Sequence, residues 1–413
     1  MNIPPSHVNA TRLYGQRFDE DPASVYREIR GVHKSVAPVL LDGDMAAWFV
    51  FSYRDVHQIL SNPRLFGRDA RRWNLYDQIP EDWPLAPFGS WGPSVLHTEG
   101  AEHQRRAGAI GDALDAVDRV ELARICEHTA DQLIDSFSRE GTADLIGQYA
   151  QQIPIRVITR LYGIPEEEIP ALVADTEAAA TETPGALAAH MRVVGRIAQM
   201  IAERRAAPGT GLPARMVTHP ANLTDDELTH DMHIVLMGAQ QPTADWIGNT
   251  LRLMLADSQF SLTLQGGRGS ADQALNEVLW KDTPVQNLIG RYAIQPGELG
   301  GHRIDKGDLL VLGLAAANAD PRVRPDTFGN GAVNRAHMSF AQGEHSCPFA
   351  APELAEVMAR TAIEVLLDRL PDVELAVPPE EVRWRPAAWV RGLYSLPVQF
   401  MPTERLSPAA LIT

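Results

Sequence analysis

The 413-residue chain is poor in cysteine, with only Cys126 and Cys347. Two thiols exclude a disulfide framework and a zinc site built from four thiolates, and they suit a reducing compartment. Basic side chains are also scarce: 37 Lys and Arg stand against 53 Asp and Glu, a formal net charge of -16. So acidic a chain lacks the basic surface that phosphate contacts need, which sets nucleic acid aside as a partner. Long apolar runs are missing as well. "LLVLGLAAA" (309–317) stops at nine residues, against about 18 for a membrane span, so no membrane partner is expected. The N-terminal "MNIPPSHVNATRLYG" has no basic stretch followed by an apolar one, so no signal peptide is expected and the location is read as cytoplasmic. No repeat and no Pro-, Gly- or Ser-rich linker interrupts the chain, which predicts a single domain over 1–413.

What is present is ordinary globular material, 45% hydrophobic and 22% charged. "MAAWFVFSY" (45–53) and "DLLVLGL" (308–314) follow turn signals and predict strands, with "GLYSLPVQF" (392–400) as a third. Most of the rest has helical spacing. "DLIGQYAQQIPIRVITRLYG" is closed by Gly163 and Pro165. Thr224 and Glu227 form a capping box ahead of an apolar pattern running to Leu255. Leu354, Met358, Ala362, Leu366 and Leu370 share one helical face, ended by Pro371. The prediction is a mainly α protein with small β-sheets (α+β). Its β-rich part covers about 36–54, 291–315 and 383–402, and its helical part about 55–290 and 350–371.

One cysteine stands in the crowded loop "FAQGEHSCPF" (340–349). Gly343 lies four residues before Cys347, Pro348 follows it, and an amphipathic helix begins soon after. Backbone N–H groups and the helix dipole at such a place stabilise a thiolate, either as nucleophile or as metal ligand. A nucleophile needs a base beside it, and His345, two residues away, points elsewhere on most backbones. Iron ligation fits better.

The loop resembles the haem-ligand signature of the cytochromes P450: phenylalanine, glycine three on, a histidine or arginine, then cysteine. Other stretches resemble the same family in the same order: "AWFVFSYRDVHQILSNPRLFGRD" (47–69), "EGAEHQRR" (99–106), "PGELGGHRIDKG", "AANADP" (316–321) and "VRGLYSLPVQF" (390–400). The resemblance implies a P450 fold with a long central helix crossing haem b, and Cys347 as axial thiolate and iron ligand. It places Phe340 and Gly343 in the ligand loop and Ala239 on the long helix against the haem. His103, Arg291 and His345 fall where the family has cationic donors to the propionates. The pocket positions are Trp73, Trp83 and Trp91, with Gly238, Trp389 and Val390. Rings there either pack on an aromatic substrate or simply cover the core.

Three departures from the family pattern stand out. Trp280 occupies the arginine position of a Glu-x-x-Arg pair, and Thr327 the position of the second arginine, so Glu277 is expected to find backbone N–H groups or Arg324 instead. Phe349 replaces a glycine two residues after Cys347, which predicts a rebuilt turn into the next helix. In "MGAQQPTADW" (237–246), Gln241 and Pro242 stand where the family has an acid and an alcohol for proton delivery. Gln240, Gln241, Pro242 and Thr243 are therefore the catalytic candidates, with ordered water or substrate groups supplying protons.

The implied activity is oxidative chemistry of bacterial secondary metabolism, driven by dioxygen and by electrons from a ferredoxin and its ferredoxin reductase, with basic contacts around Arg105 and Arg106. Loss of the acid–alcohol pair points to oxidative crosslinking of aromatic side chains in a short peptide. The alternative is hydroxylation or epoxidation of a small-molecule natural product. A non-catalytic haem sensor or carrier is the alternative of a different class.

Overall fold

Strands Val36–Leu41 (β2) and Met45–Val50 (β3) pair antiparallel across Asp42, Gly43 and Asp44, where Gly43 and Asp44 take φ of 70° and 55°. All six residues of β3 are buried, as expected of a strand covered on both faces. The computed structural model describes residues 3–80, 83–179, 185–257, 269–323 and 334–406. Arg324 and Thr327 lie outside them.

The chain packs as two units. The first comprises Met1–Ala101, Asn276–Cys347 and Trp384–Gly392. Its frame is a six-stranded sheet that adds Thr11–Arg12 (β1), Phe66–Gly67 (β4), Asn287–Ala293 (β6) and Leu309–Gly313 (β9), in the order β1-β2-β3-β9-β6-β4. Gly297–Leu299 (β7) and His302–Ile304 (β8) form a separate hairpin. One sheet face buries Phe49, Phe51, Tyr292 and Val311; the other buries Trp48, Val50, Leu310 and Leu312. β6 carries a register shift between Leu288 and Arg291, with Gly290 at φ 93°. A bulge of this kind re-aims the next side chain, here Arg291.

The second unit comprises Glu102–Leu275, Pro348–Arg383 and Leu393–Thr413. Helices Arg119–Phe137, Gln152–Leu161, Ala186–Ala206, Asp225–Ala256 and Ala351–Arg369 pack on one another there. Thr142–Asp144 (β5), Glu374–Leu375 (β10) and Pro397–Gln399 (β11) make a small sheet, so the third predicted strand shrinks to three residues. The long helix Asp225–Ala256 has 32 residues, about 48 Å at 1.5 Å per residue. Its capping box is complete: Glu227 N–H donates to Thr224 Oγ1 at 3.2 Å, and Thr224 N–H donates to Glu227 Oε2 at 2.9 Å. Leu354, Met358, Ala362, Leu366 and Leu370 are all buried, as their spacing predicts. Arg369 ties the end of that helix to Asp131 and Asp135 at 2.7 and 2.6 Å. Among the described residues no helix is long and apolar enough to cross a membrane.

Candidate active site

The Cys347 loop is shaped by its backbone. Ala341 and Gly343 have φ of 57° and 78°, Ser346 N–H donates to the Gly343 carbonyl, and Cys347 N–H donates to the Phe340 carbonyl, both at 3.1 Å. A Cβ at Gly343 would lie 2.2 Å from the backbone oxygen of Leu60, so only glycine fits where loop and helix backbones meet. The Cys347 side chain is exposed, yet protein around it pushes its thiol up to about 11, opposed by a backbone hydrogen bond. The two observations agree if the sulfur sits in a recess: reachable, but ringed by protein. Without a metal it is held as the neutral thiol, and a metal that binds it displaces the proton.

The segment leading to the loop is clamped by neutral groups. Asn318, fully buried, donates Nδ2–H to the Leu279 carbonyl at 2.9 Å and accepts from Met338 N–H at 2.7 Å. Ser339 Oγ donates to the same Leu279 carbonyl at 2.7 Å. Trp280 Nε1–H donates to the Asn334 carbonyl at 2.8 Å, and its ring meets His337 edge-on at 5.9 Å. Glu277 is partnered by Lys281, one turn on, at 3.0 Å. Lys281, from the same helix, is a partner beyond those expected, while the expected Arg324 lies outside the described residues. Phe349 is 96% exposed and Ala351 N–H closes a turn on the Pro348 carbonyl at 2.8 Å, so an aromatic in place of glycine projects outward.

Arg291 is 2% exposed, and no acceptor among the described residues reaches Nη1 or Nη2. Burial, followed by repulsion from Arg68, holds its pKa well below the usual arginine range, partly offset by Glu99 and Glu344. Arg68, also buried, donates Nη1–H to the carbonyls of Ile289 and Gly290 at 2.8 Å each, satisfying the bulge that aims Arg291. His97 is buried close by in charge terms, lowered to about 4 by burial and then by Arg68. Neither Arg68 nor His97 was a sequence candidate; a sheet bulge has no signature beyond its glycine. His345 and Phe340 are half-buried, and His103 is buried in the second unit.

In the second unit, Pro242 sits inside the long helix without ending it. The helix is at least partly exposed at Ile234, Val235, Gly238, Ala239, Gln241 and Pro242. From Thr243 to Leu251 every residue is buried, and Gln240 is buried too. A Cβ on Gly238 would meet nothing within 4 Å outside the helix itself. Gln241 Nε2–H donates to Oδ1 of buried Asp245 at 3.0 Å, one turn on. Arg106 is 3% exposed and bonds Asp231 through Nε and Nη2, at 2.9 and 2.5 Å. This corrects its expected role in partner docking: the side chain is turned inward to neutralise a buried carboxylate. Arg105 pairs with Glu227.

The aromatic candidates divide. Trp73 and Trp83 lie in the core of the first unit with ring centroids 5.5 Å apart. Trp83 Nε1–H donates to the Asp42 carbonyl at 2.8 Å. Trp91 is exposed, with the Arg71 guanidinium 4.7 Å above its ring. Trp389 packs against the same core as Trp73, and Val390 is buried and bridged to Val285. Gln286 holds this segment by donating to the carbonyls of Ala387 and Val390 at 2.6 and 3.1 Å.

No family model matches the chain. Individual proteins do. It is 30% identical over 335 residues to cytochrome P450 140 of Mycobacterium bovis, covering 76% of this chain and 75% of that protein. The chain belongs to the cytochrome P450 family. It is also 29% identical over 401 residues to cytochrome P450 monooxygenase PikC of Streptomyces venezuelae, covering 94% of this chain and 92% of that one. The solved structure of the polyketide biosynthesis P450 PksS of Bacillus subtilis superposes with a TM-score of 0.82 at 26% identity, covering 94% of this chain and 99% of that one.

The prosthetic group of the family is haem b, and the residues present fit it. Haem brings carboxylates, and Arg291 is a buried guanidinium with two nitrogens that reach no acceptor among the described residues. An unpaired buried charge is costly enough that such a group implies an anion. Among the described residues no three His, Cys, Asp or Glu side chains gather to hold a metal. When bound, a haem with a thiolate ligand supplies O–O bond cleavage, the thiolate pushing electron density toward the oxygen.

Proposed function

We propose that this P450 is a monooxygenase that inserts one oxygen atom of dioxygen into a small natural product, the other atom leaving as water. Its two electrons come from a small ferredoxin served by a ferredoxin reductase. The observation that carries the reading is the exposed Cys347 thiol in a glycine-shaped loop whose lead-in is clamped through Met338, Ser339 and Asn334. A sensor has no need of so firm a ligand loop. The partly exposed apolar side chains Ile234 and Val235, beside Gly238, suit an apolar substrate body. The relatives' names point the same way, one to polyketide biosynthesis and one to monooxygenation.

Oxidative crosslinking of aromatic side chains in a peptide is the second reading. It is favoured by Gln241 and Pro242 in place of an acid and an alcohol. Product mass separates the two when the purified enzyme turns over with ferredoxin, reductase and reduced nicotinamide: gain of one oxygen supports insertion, and loss of two hydrogens supports coupling. Ligand binding without consumption of any substrate would return the sensor or carrier class.

A further inference from the structure

The long helix changes character within one turn. Up to Pro242 it has an open face; from Thr243 to Leu251 every residue is buried. Two side chains join across that boundary, Gln241 on the open side and Asp245 on the buried side, at the i, i+4 spacing that brings side chains together. Gln241 donates from Nε2 at 3.0 Å, so the amide's nitrogen end is turned to the carboxylate. The amide's other end, Oε1, is left to accept from a water on the open face.

Pro242 adds to the same face. It has no N–H to give the carbonyl four residues back, that of Gly238. Gly238 is exposed, and nothing outside the helix lies within 4 Å of where its Cβ would stand. Two oxygen acceptors one turn apart, the Gly238 carbonyl without its helical donor and Gln241 Oε1, thus lie on the stretch of helix that is at least partly exposed.

We propose that Asp245 is a positioning residue for dioxygen activation. It fixes the Gln241 amide in one orientation, so that Oε1 and the Gly238 carbonyl hold a water whose remaining O–H is free to donate. The amide gives up no hydrogen; protons move only along water. This rests on the haem-thiolate reading above.

The test uses carbon monoxide as probe on reduced, haem-loaded protein, with the infrared C–O stretching band as readout. In wild type the fixed amide is expected to give one narrow band. Asp245→Asn can bond Gln241 in either sense, so the band is expected to shift or split. Peroxide released per electron pair is expected to rise on the order of 10²-fold, the low end for a positioned proton-transfer element. Gln241→Leu removes the amide itself, and in that background Asp245→Asn should move the band no further. A band in Asp245→Asn that superimposes on wild type, or shifts that add across the two variants, would overturn the proposal. The haem-thiolate reading fails separately, if the wild-type carbon monoxide complex lacks a thiolate-type Soret band.

Discussion

Trp280 donates its indole N–H to the Asn334 carbonyl at 2.8 Å, just upstream of the Cys347 loop. Its helix thus grips the loop through a neutral hydrogen bond, with Asn318 and Ser339 gripping the Leu279 carbonyl beside it. Trp280→Phe keeps the ring against His337 and leaves a carbonyl without its donor. It should cost about 1–3 kcal/mol of stability, measured by denaturant unfolding. Part of the carbon monoxide complex should also move to a non-thiolate Soret position. Trp280→Arg should not rescue it, because Glu277 already has Lys281.

Arg291 separates the apo-protein from the holo-protein. Arg291→Met removes a buried cation whose Nη1 and Nη2 reach no acceptor among the described residues. Apo-protein stability should rise, on the order of 2 kcal/mol, while haem retention on dilution falls. If the apo-protein loses stability instead, the guanidinium has a protein partner and the propionate assignment fails.

Gly343 is needed twice over, for φ of 78° and for the approach to the Leu60 carbonyl. Gly343→Ala should cost about 3 kcal/mol or more, from left-handed strain together with overpacking against backbone. Substitution to Ala at Gly238, whose Cβ meets only open space, should leave apo-protein melting nearly unchanged. Equal losses at both sites in thermal melts would contradict this.

Much of this was legible beforehand. The capping box at Thr224, the buried face of Ala351–Arg369 and the glycine before Cys347 are local patterns, and each stands where its spacing predicts. Partners one turn on are just as local: Lys281 lies four residues from Glu277 and Asp245 four from Gln241, so helical spacing alone could have found both. Arg106 is different. Its partner Asp231 is 125 residues away, and no local pattern tells an inward arginine from a docking one. Arg68 likewise gains meaning only from a bulge in a strand more than 200 residues further along.

Acid sensitivity follows from three histidines. Burial lowers His97, His233 and His337 to about 4 each. In the unfolded chain they protonate near 6.5, so between about 6.5 and 4 the unfolded state binds more protons and stability falls as pH falls. His97, the most buried, accounts for at most about 3 kcal/mol of this. Melting temperature should be flat with respect to these groups above about pH 7 and drop steadily below 6.5. His97→Gln should flatten that slope; an unchanged slope would show that His97 protonates freely in the folded protein.

The most direct measurement is the absorption spectrum of haem-loaded protein, reduced and exposed to carbon monoxide, beside the Cys347→Ser variant. The account predicts a strongly red-shifted Soret band in wild type, the mark of thiolate ligation, and its loss in the variant. A wild-type band where histidine or neutral-thiol ligation places it, unmoved by the substitution, would contradict the assignment of Cys347 as the iron's thiolate.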